Sequence, residues 1–170
     1  MNRKHNILLF LIGLLVLGLS ACSNSDDTCR KSRSVSAGIY FYKDTLNINT
    51  GDTVSLALSV DSITVYGLDV DSILYKNVKK VSNIHVPLNP FADESKFVIK
   101  SNMIYDTLTI RYTQEYQFLS LECGSVHAQH LSSVSTTGHF FKKTTISTSE
   151  VNTTTTSSNA TNIKIHHFVK

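Results

Sequence analysis

The sequence predicts an all-β fold, most simply an antiparallel β-sandwich. Three observations point there. The first is composition: 7 Tyr and 8 Phe accompany abundant Val, Ile and Thr, with only 2 Pro and no Trp among 170 residues. β-Branched and aromatic side chains suit a pleated, half-buried surface. The second is patterning: about nine short runs with strand character are separated by turn chemistry roughly every 8–12 residues. The third is that no run beyond residue 22 keeps a convincing helical period. The expected sandwich is immunoglobulin-like or transthyretin-like, and an open β-barrel is the alternative.

Taken in order, Val35–Tyr42 is the first expected strand, with Gly38 marking a bulge or a close backbone approach. Asn47–Asp52 carries turn residues. Thr53–Val60 alternates cleanly, which places Val54, Leu56, Leu58 and Val60 on one face over a core. Ser62–Leu68 and Ser72–Tyr75 follow, punctuated by Asp69, Asp71 and Asn77. Val81–Leu88 directs Ile84, Val86 and Leu88 inward, His85 outward, and ends or becomes an edge at Pro87. Ala92–Lys96 reads as polar loop, and Phe97–Lys100 as the next strand.

The strongest hairpin pattern comes next. Tyr105–Tyr112 puts Leu108, Ile110 and Tyr112 on one face, Gln114-Glu115 reads as the connection, and Tyr116–Cys123 returns. On that reading Cys123 shares a core-like face with Leu119 and Leu121. Val126–Phe141 is rich in Ser and His and reads as loop or irregular strand, because Ser and Thr compete with helix by bonding their own backbone. Lys142–Ser147 is strand-like, residues 151–162 form an exposed Thr/Ser/Asn turn, and Asn162–Val169 is a closing strand. The aromatic set Tyr40, Phe41, Tyr42, Tyr105, Tyr112, Tyr116 and Phe118 is expected to be mostly core.

The first 22 residues say where the chain goes. Arg3 and Lys4 precede an uncharged apolar run, Ile7–Leu19, which as a signal helix spans about 20 Å at about 1.5 Å per residue. A bilayer core of about 30 Å is too thick for it. A basic start, a short apolar core and small residues after it describe a secretory signal peptide over 1–21. Leu19-Ser20-Ala21-Cys22 resembles the bacterial lipobox, in which cleavage falls before the cysteine and acyl chains, palmitate among them, are attached to it. More than one chain makes a stable anchor without a membrane-spanning helix. The expected organisation is signal peptide 1–21, polar tether 22–34 and one β-sandwich domain 35–170.

Without residues 1–21 the chain keeps 149 residues, enough for one domain with its own core. The loss of Arg3 and Lys4 leaves 14 basic against 13 acidic side chains. No basic stripe survives, so nucleic acid is not an expected partner. With Cys22 assigned to lipid, Cys29 and Cys123 remain as an even pair in an oxidising compartment, and a disulfide is the default reading. Loop closure on that scale stabilises by about 4–5 kcal/mol in the chain-entropy model.

A wider pattern now emerges. The lipobox is followed by Asp27-Thr28-Cys29, Val86-Pro87-Leu88, Asp106–Tyr112, Glu122-Cys123-Gly124 and a closing Asn162–Ile165. In that order the pattern resembles a family of short Bacteroidetes lipoproteins without assigned activity. The resemblance implies an envelope location and a Cys29–Cys123 pairing, and implies no mechanism. Asp26-Asp27 resembles the acidic patch that acts in some such lipoproteins as a surface-export signal.

No nucleophile motif stands in the sequence: there is no G-x-S-x-G and no H-E-x-x-H. Histidine is the only cluster to weigh, with His127, His130, His139 and His167 as weak metal candidates. Adjacent His166 and His167 point to opposite faces of a strand, so only one can join such a site. The sequence therefore predicts an outer-membrane-anchored lipoprotein, tethered at Cys22 and facing either the periplasm or the cell surface. Its domain is non-catalytic, needs no cofactor, and binds or assembles with an envelope protein or a glycan. A hydrolase of envelope polymers and a His-based metal-binding lipoprotein are the alternatives.

Overall fold

The structure, a computed structural model, describes Cys29, residues 35–68, Val70 and residues 72–169. The signal run, the lipidation candidate Cys22, the Asp26-Asp27 patch, Asp69 and Asp71 lie outside the described residues. The β domain lies within the compact unit Ser32–Lys170.

Eleven strands and one short helix are described: β1 (Ala37–Leu46), β2 (Thr53–Ala57), β3 (Val60–Gly67), β4 (Ile73–Val81), β5 (Asn83–Val86), β6 (Glu94–Ser101), β7 (Ile104–Ser120), β8 (Gly124–Thr136), β9 (Lys143–Ile146), β10 (Glu150–Val151), α1 (Thr153–Ser157) and β11 (Ile163–Val169). They make two sheets. The first runs β2-β1-β11-β9, with β5 also pairing β1; the second runs β10-β8-β7-β6-β3-β4. No barrel closes, so the architecture is the expected sandwich. It is not wholly antiparallel: β1 and β11 pair in parallel, with Ile39 opposite Ile163 and Phe41 opposite Ile165.

Those four side chains are fully buried and form the first sheet's share of the core; Ile63, Val65, Leu108 and Ile110 are the second sheet's. Burying one such side chain contributes about 1.5–3 kcal/mol. Phe141, from the connection between β8 and β9, stacks on Phe41 at 5.2 Å between centroids.

Several expectations are corrected. The alternation of Thr53–Val60 runs across a corner: β2 is an edge strand of the first sheet with Val54 and Leu56 exposed, whereas Val60 is buried at the start of β3 in the second. Strand β4 continues through Asn77, which takes a left-handed φ of 49° while its N–H donates to the Thr64 hydroxyl. Lys76, Lys79 and Lys80 then line this sheet edge, where exposed charge discourages edge-to-edge pairing. Strand β6 begins at Glu94, inside the expected loop.

The expected connection at Gln114-Glu115 does not exist. Strand β7 runs unbroken for 17 residues, and the hairpin turns at residues 121–123. Gln114 sits in mid-strand because its amide anchors a neighbouring turn, as described below. Cys123 is therefore in a turn, and Leu121 beside it is 96% exposed rather than core. Cys29 and Cys123 are both disulfide-bonded, as expected of the pair. The Ser- and His-rich segment forms regular strand β8, because its ladder with β7 extends from Leu108–Thr136 to Ser120–Gly124. Of the aromatic set, only Phe41 and Tyr112 are core; Tyr40 and Tyr42 are half-buried, and Tyr105, Tyr116 and Phe118 are exposed.

The expected exposed turn at 151–162 instead holds a buried hub. Asn152 and Thr155 form a capping box that opens the one-turn helix α1. Val151 and Asn162 are fully buried. The Asn162 Oδ1 accepts from the Gly38 N–H at 2.9 Å, and its Nδ2 donates to Thr148 O at 3.1 Å and Glu150 O at 2.7 Å. The Asn162 N–H donates to Gly38 O at 2.9 Å. Gly38 allows this because a Cβ there would stand 2.3 Å from Ala160 O, which is the close approach expected from the sequence.

Replacing Asn162 with Ala removes three bonds and strands buried backbone groups, so urea unfolding should show a loss of about 2–4 kcal/mol. Gly38→Ala should also destabilise. A change below about 0.5 kcal/mol for Asn162→Ala would show that the hub is dispensable.

Candidate functional site

The structure does not gather the candidate histidines. His127 is half-buried on β8 and His130 exposed on it; His139 lies in the loop after β8, with Nδ1 at 3.1 Å from the Thr137 hydroxyl. On β11, the His167 Nδ1 donates to Phe140 O at 2.8 Å, and its ring stacks on Phe140 at 4.1 Å. Among the described residues, no three His, Cys, Asp or Glu side chains are placed to hold a metal ion.

Two buried carboxylates went unnoticed in the sequence. Asp106 accepts four hydrogen bonds: from the Thr137 hydroxyl, and from the N–H groups of His139, Phe140 and Phe141 at 2.6–2.9 Å. It thereby folds the loop that delivers Phe141 to the core. Burial alone would raise its pKa, but the three N–H donors and the hydroxyl outweigh it and hold Asp106 below the ordinary value.

Asp44 accepts from the Ser55 hydroxyl at 2.6 Å and from the His166 Nδ1 at 2.9 Å. Burial pushes it up; the Ser55 and His166 bonds and the nearby Lys143 charge prevail and lower it. Serine, histidine and aspartate meet here in the wrong order for acyl transfer. The hydroxyl is bonded to the carboxylate, not to the imidazole that would have to deprotonate it.

The candidate site lies where β7 and β8 carry their core-facing side beyond the core. Leu108, Ile110 and Tyr112 are buried, and the same face of β7 continues through Gln114, Tyr116 and Phe118. Gln114 stands opposite Gln129, and Tyr116 opposite His127. Beside them opens a pocket of about 360 Å³ lined by Val35, Leu88, Pro90, Ser125, Val126, His127 and Gln129.

The polar groups of this site are unusual for this protein. Gln129 is 2% exposed, and neither atom of its amide has a hydrogen-bond partner. The Gln114 Nε2 donates to Asn89 O and Ala92 O, at 3.0 and 2.6 Å, while its buried Oε1 has no partner. The His127 Nδ1 is likewise buried and unpartnered. Each such atom costs about 1–3 kcal/mol relative to a bonded or apolar replacement.

The rim is aromatic and fixed. Tyr116 and Phe91 flank the His127 ring at 4.9 and 5.8 Å and are themselves 76% and 88% exposed. Phe91 belongs to a turn that is held firmly. Its N–H donates to Asn89 Oδ1, Asn89 O accepts from the Tyr112 hydroxyl, and that hydroxyl lies 2.6 Å from the Ser95 oxygen.

These residues fall within the stretch that a family model matches. The chain belongs to a family of unknown function, DUF6452, whose model matches residues 62–167. The DUF6452 match spans β3 to β11 and so takes in Gln114, Tyr116, His127, Gln129 and the Phe91 turn, with β1 and β2 outside it. Neither the curated proteins nor the solved structures hold a match to the chain.

A second cavity, of about 410 Å³, shares Leu88 and Pro90 with the first and is lined mainly by apolar groups such as Leu68, Leu74 and Phe97. None of the unpartnered atoms belongs to its lining. The sequence signal for the polar pocket was readable in principle. Tyr112-x-Gln114-x-Tyr116 and His127-x-Gln129-x-Leu131 each place glutamine at a core-phase position of a strand.

Asp106 supplies a pH test. Because its pKa is lowered by folding, its contribution is complete above the unfolded value of about 3.9 and is lost as pH falls from there through the folded value. Asp106→Asn should cost about 2–3 kcal/mol at pH 7 and show a smaller acid loss than the parent in urea titrations down to pH 3. Equal acid losses would remove Asp106 as a source.

Proposed function

We propose that this DUF6452 protein is a lipid-anchored envelope protein whose β-sandwich is a non-catalytic binding domain. The observation that carries the reading is the presence of His127 and Gln129, with three unpartnered polar atoms, in the lining of one open pocket. A polar group that is buried, unbonded and in a pocket lining costs stability and serves a ligand better than it serves the fold. The envelope location rests on the resemblance of Leu19–Cys22 to a lipobox and is supported by the oxidised state of Cys29 and Cys123. The resemblance of its motif order to short Bacteroidetes lipoproteins supports the same reading. The anchor places the domain at the outer membrane, on the periplasmic side or, if Asp26-Asp27 acts as an export signal, outside.

A hydrolase is the second reading, because Ser125 and His127 both line the pocket. It is the weaker one: the His127 Nδ1 has no carboxylate to orient the ring, so the pair lacks the third member of a nucleophilic triad.

Two measurements test the proposal. Gln129→Met keeps the side-chain length and removes the unpaired amide, so the melting temperature should hold or rise by a few degrees. A clear fall would show that the amide is bonded for stability. Cys22→Ser should release the protein from membranes into the soluble fraction; continued membrane association would remove the lipid anchor from the account.

A further inference from the structure

The geometry points to a neutral carbohydrate as the ligand of this pocket, bound as a chain whose end enters the cavity while further units lie across the aromatic rim. The inference rests on the binding-domain reading above and names its ligand class.

Charge is the first argument. No Asp, Glu, Lys or Arg is among the residues lining the pocket, so nothing there selects a phosphate, a carboxylate or a cation. Hydrogen-bond chemistry is the second. The Gln129 amide offers a donor and an acceptor side by side, and the His127 Nδ1 adds a further unpartnered position. A sugar ring presents adjacent hydroxyls, each able to donate and accept, which match an amide in both directions at once. Shape is the third. At about 360 Å³ the pocket suits a small ligand or the end unit of a chain.

The rim decides between a sugar and other neutral polar molecules. Tyr116 and Phe91 stand largely exposed on either side of His127, and Phe118, also exposed, follows Tyr116 two residues along the same strand face. Exposed aromatic faces accept the C–H faces of pyranose rings, and a row of them fits several units in line. An extended peptide that adds a strand would instead be held by the main chain of a strand edge. Here the polar atoms belong to Gln129 and His127 of β8, each paired with a residue of β7, so they stand on a sheet face.

The test uses the full chain, purified in a detergent without a sugar headgroup. It is applied to an array of neutral glycans, an array of uronic-acid or sulfated glycans, and an array of neutral peptides. Retained probes are then titrated by calorimetry. The expected result is retention of at least one neutral glycan, with Gln129→Met abolishing binding. Tyr116→Ala and Phe91→Ala, both surface changes that leave the core intact, should each weaken binding tenfold or more. Retention of charged glycans alone overturns the proposal, as does neutral-glycan binding that all three variants leave unchanged. Peptide binding that depends on Gln129, without glycan binding, overturns the carbohydrate assignment and leaves the binding pocket standing. Retention of no probe overturns both.

Discussion

The side-chain amide of Asn162 joins parts of the chain that are far apart in sequence. From the position just before β11 it ties the beginning of β1 to the segment between β9 and β10. Six bonds, counting its backbone N–H and the two its carbonyl accepts from Ser147 and Thr148, converge on a residue with no exposed surface. They fix the register in which Ile39 and Phe41 meet Ile163 and Ile165, and that parallel pair is the middle of the first sheet. A parallel pair has no tight turn to set its register, so a buried residue that leads into β11 and bonds Gly38 of β1 through both its side chain and its N–H takes over that role. The condition is severe: only glycine at position 38 leaves room for Ala160 O.

The same economy governs most of the buried polar groups. Asp106 has four donors, Asp44 has two, and the Tyr112 hydroxyl bonds both Asn89 and Ser95. Against that background the Ser101 hydroxyl, the His166 Nε2 and the Gln129 amide lack partners, and of these three residues Gln129 lines a pocket. Its cross-strand neighbour Gln114 uses its nitrogen to hold the Asn89–Ala92 backbone and leaves its oxygen unused. One amide therefore anchors the Asn89–Ala92 turn while the other lies unbonded in the lining of the pocket. The rigid turn carrying Phe91 fits the same account, because a rim fixed before the ligand arrives loses less freedom on binding.

Much of the fold was legible in the sequence because period-two alternation survives wherever one strand face meets the core. Ile84, Val86 and Leu88 and the face Leu108-Ile110-Tyr112 follow from that rule, and the stop at Pro87 follows from its missing N–H. The rule failed where a strand outruns the sheet it covers. Polar Gln114-Glu115 imitated a turn in mid-strand, and Tyr116 and Phe118 imitated core residues although nothing packs over them. It failed again at β2, whose apolar alternation crosses from one sheet to the other. The hub at Asn162 and the carboxylates Asp44 and Asp106 were not legible, since their partners lie 11 to 124 residues away. Histidine spacing drew attention to a metal cluster, whereas the structure uses His127 singly and beside glutamines.

The central claim is that the two opposed glutamines differ in kind, one structural and one held for a ligand. Solvent exchange of their side-chain NH₂ protons, followed by NMR on the labelled chain, tests it most directly. The account predicts slow exchange at Gln114, whose nitrogen donates to two carbonyls, and fast exchange at Gln129 despite its burial. Equal protection of both amides would show that Gln129 is bonded within the fold and would contradict the account.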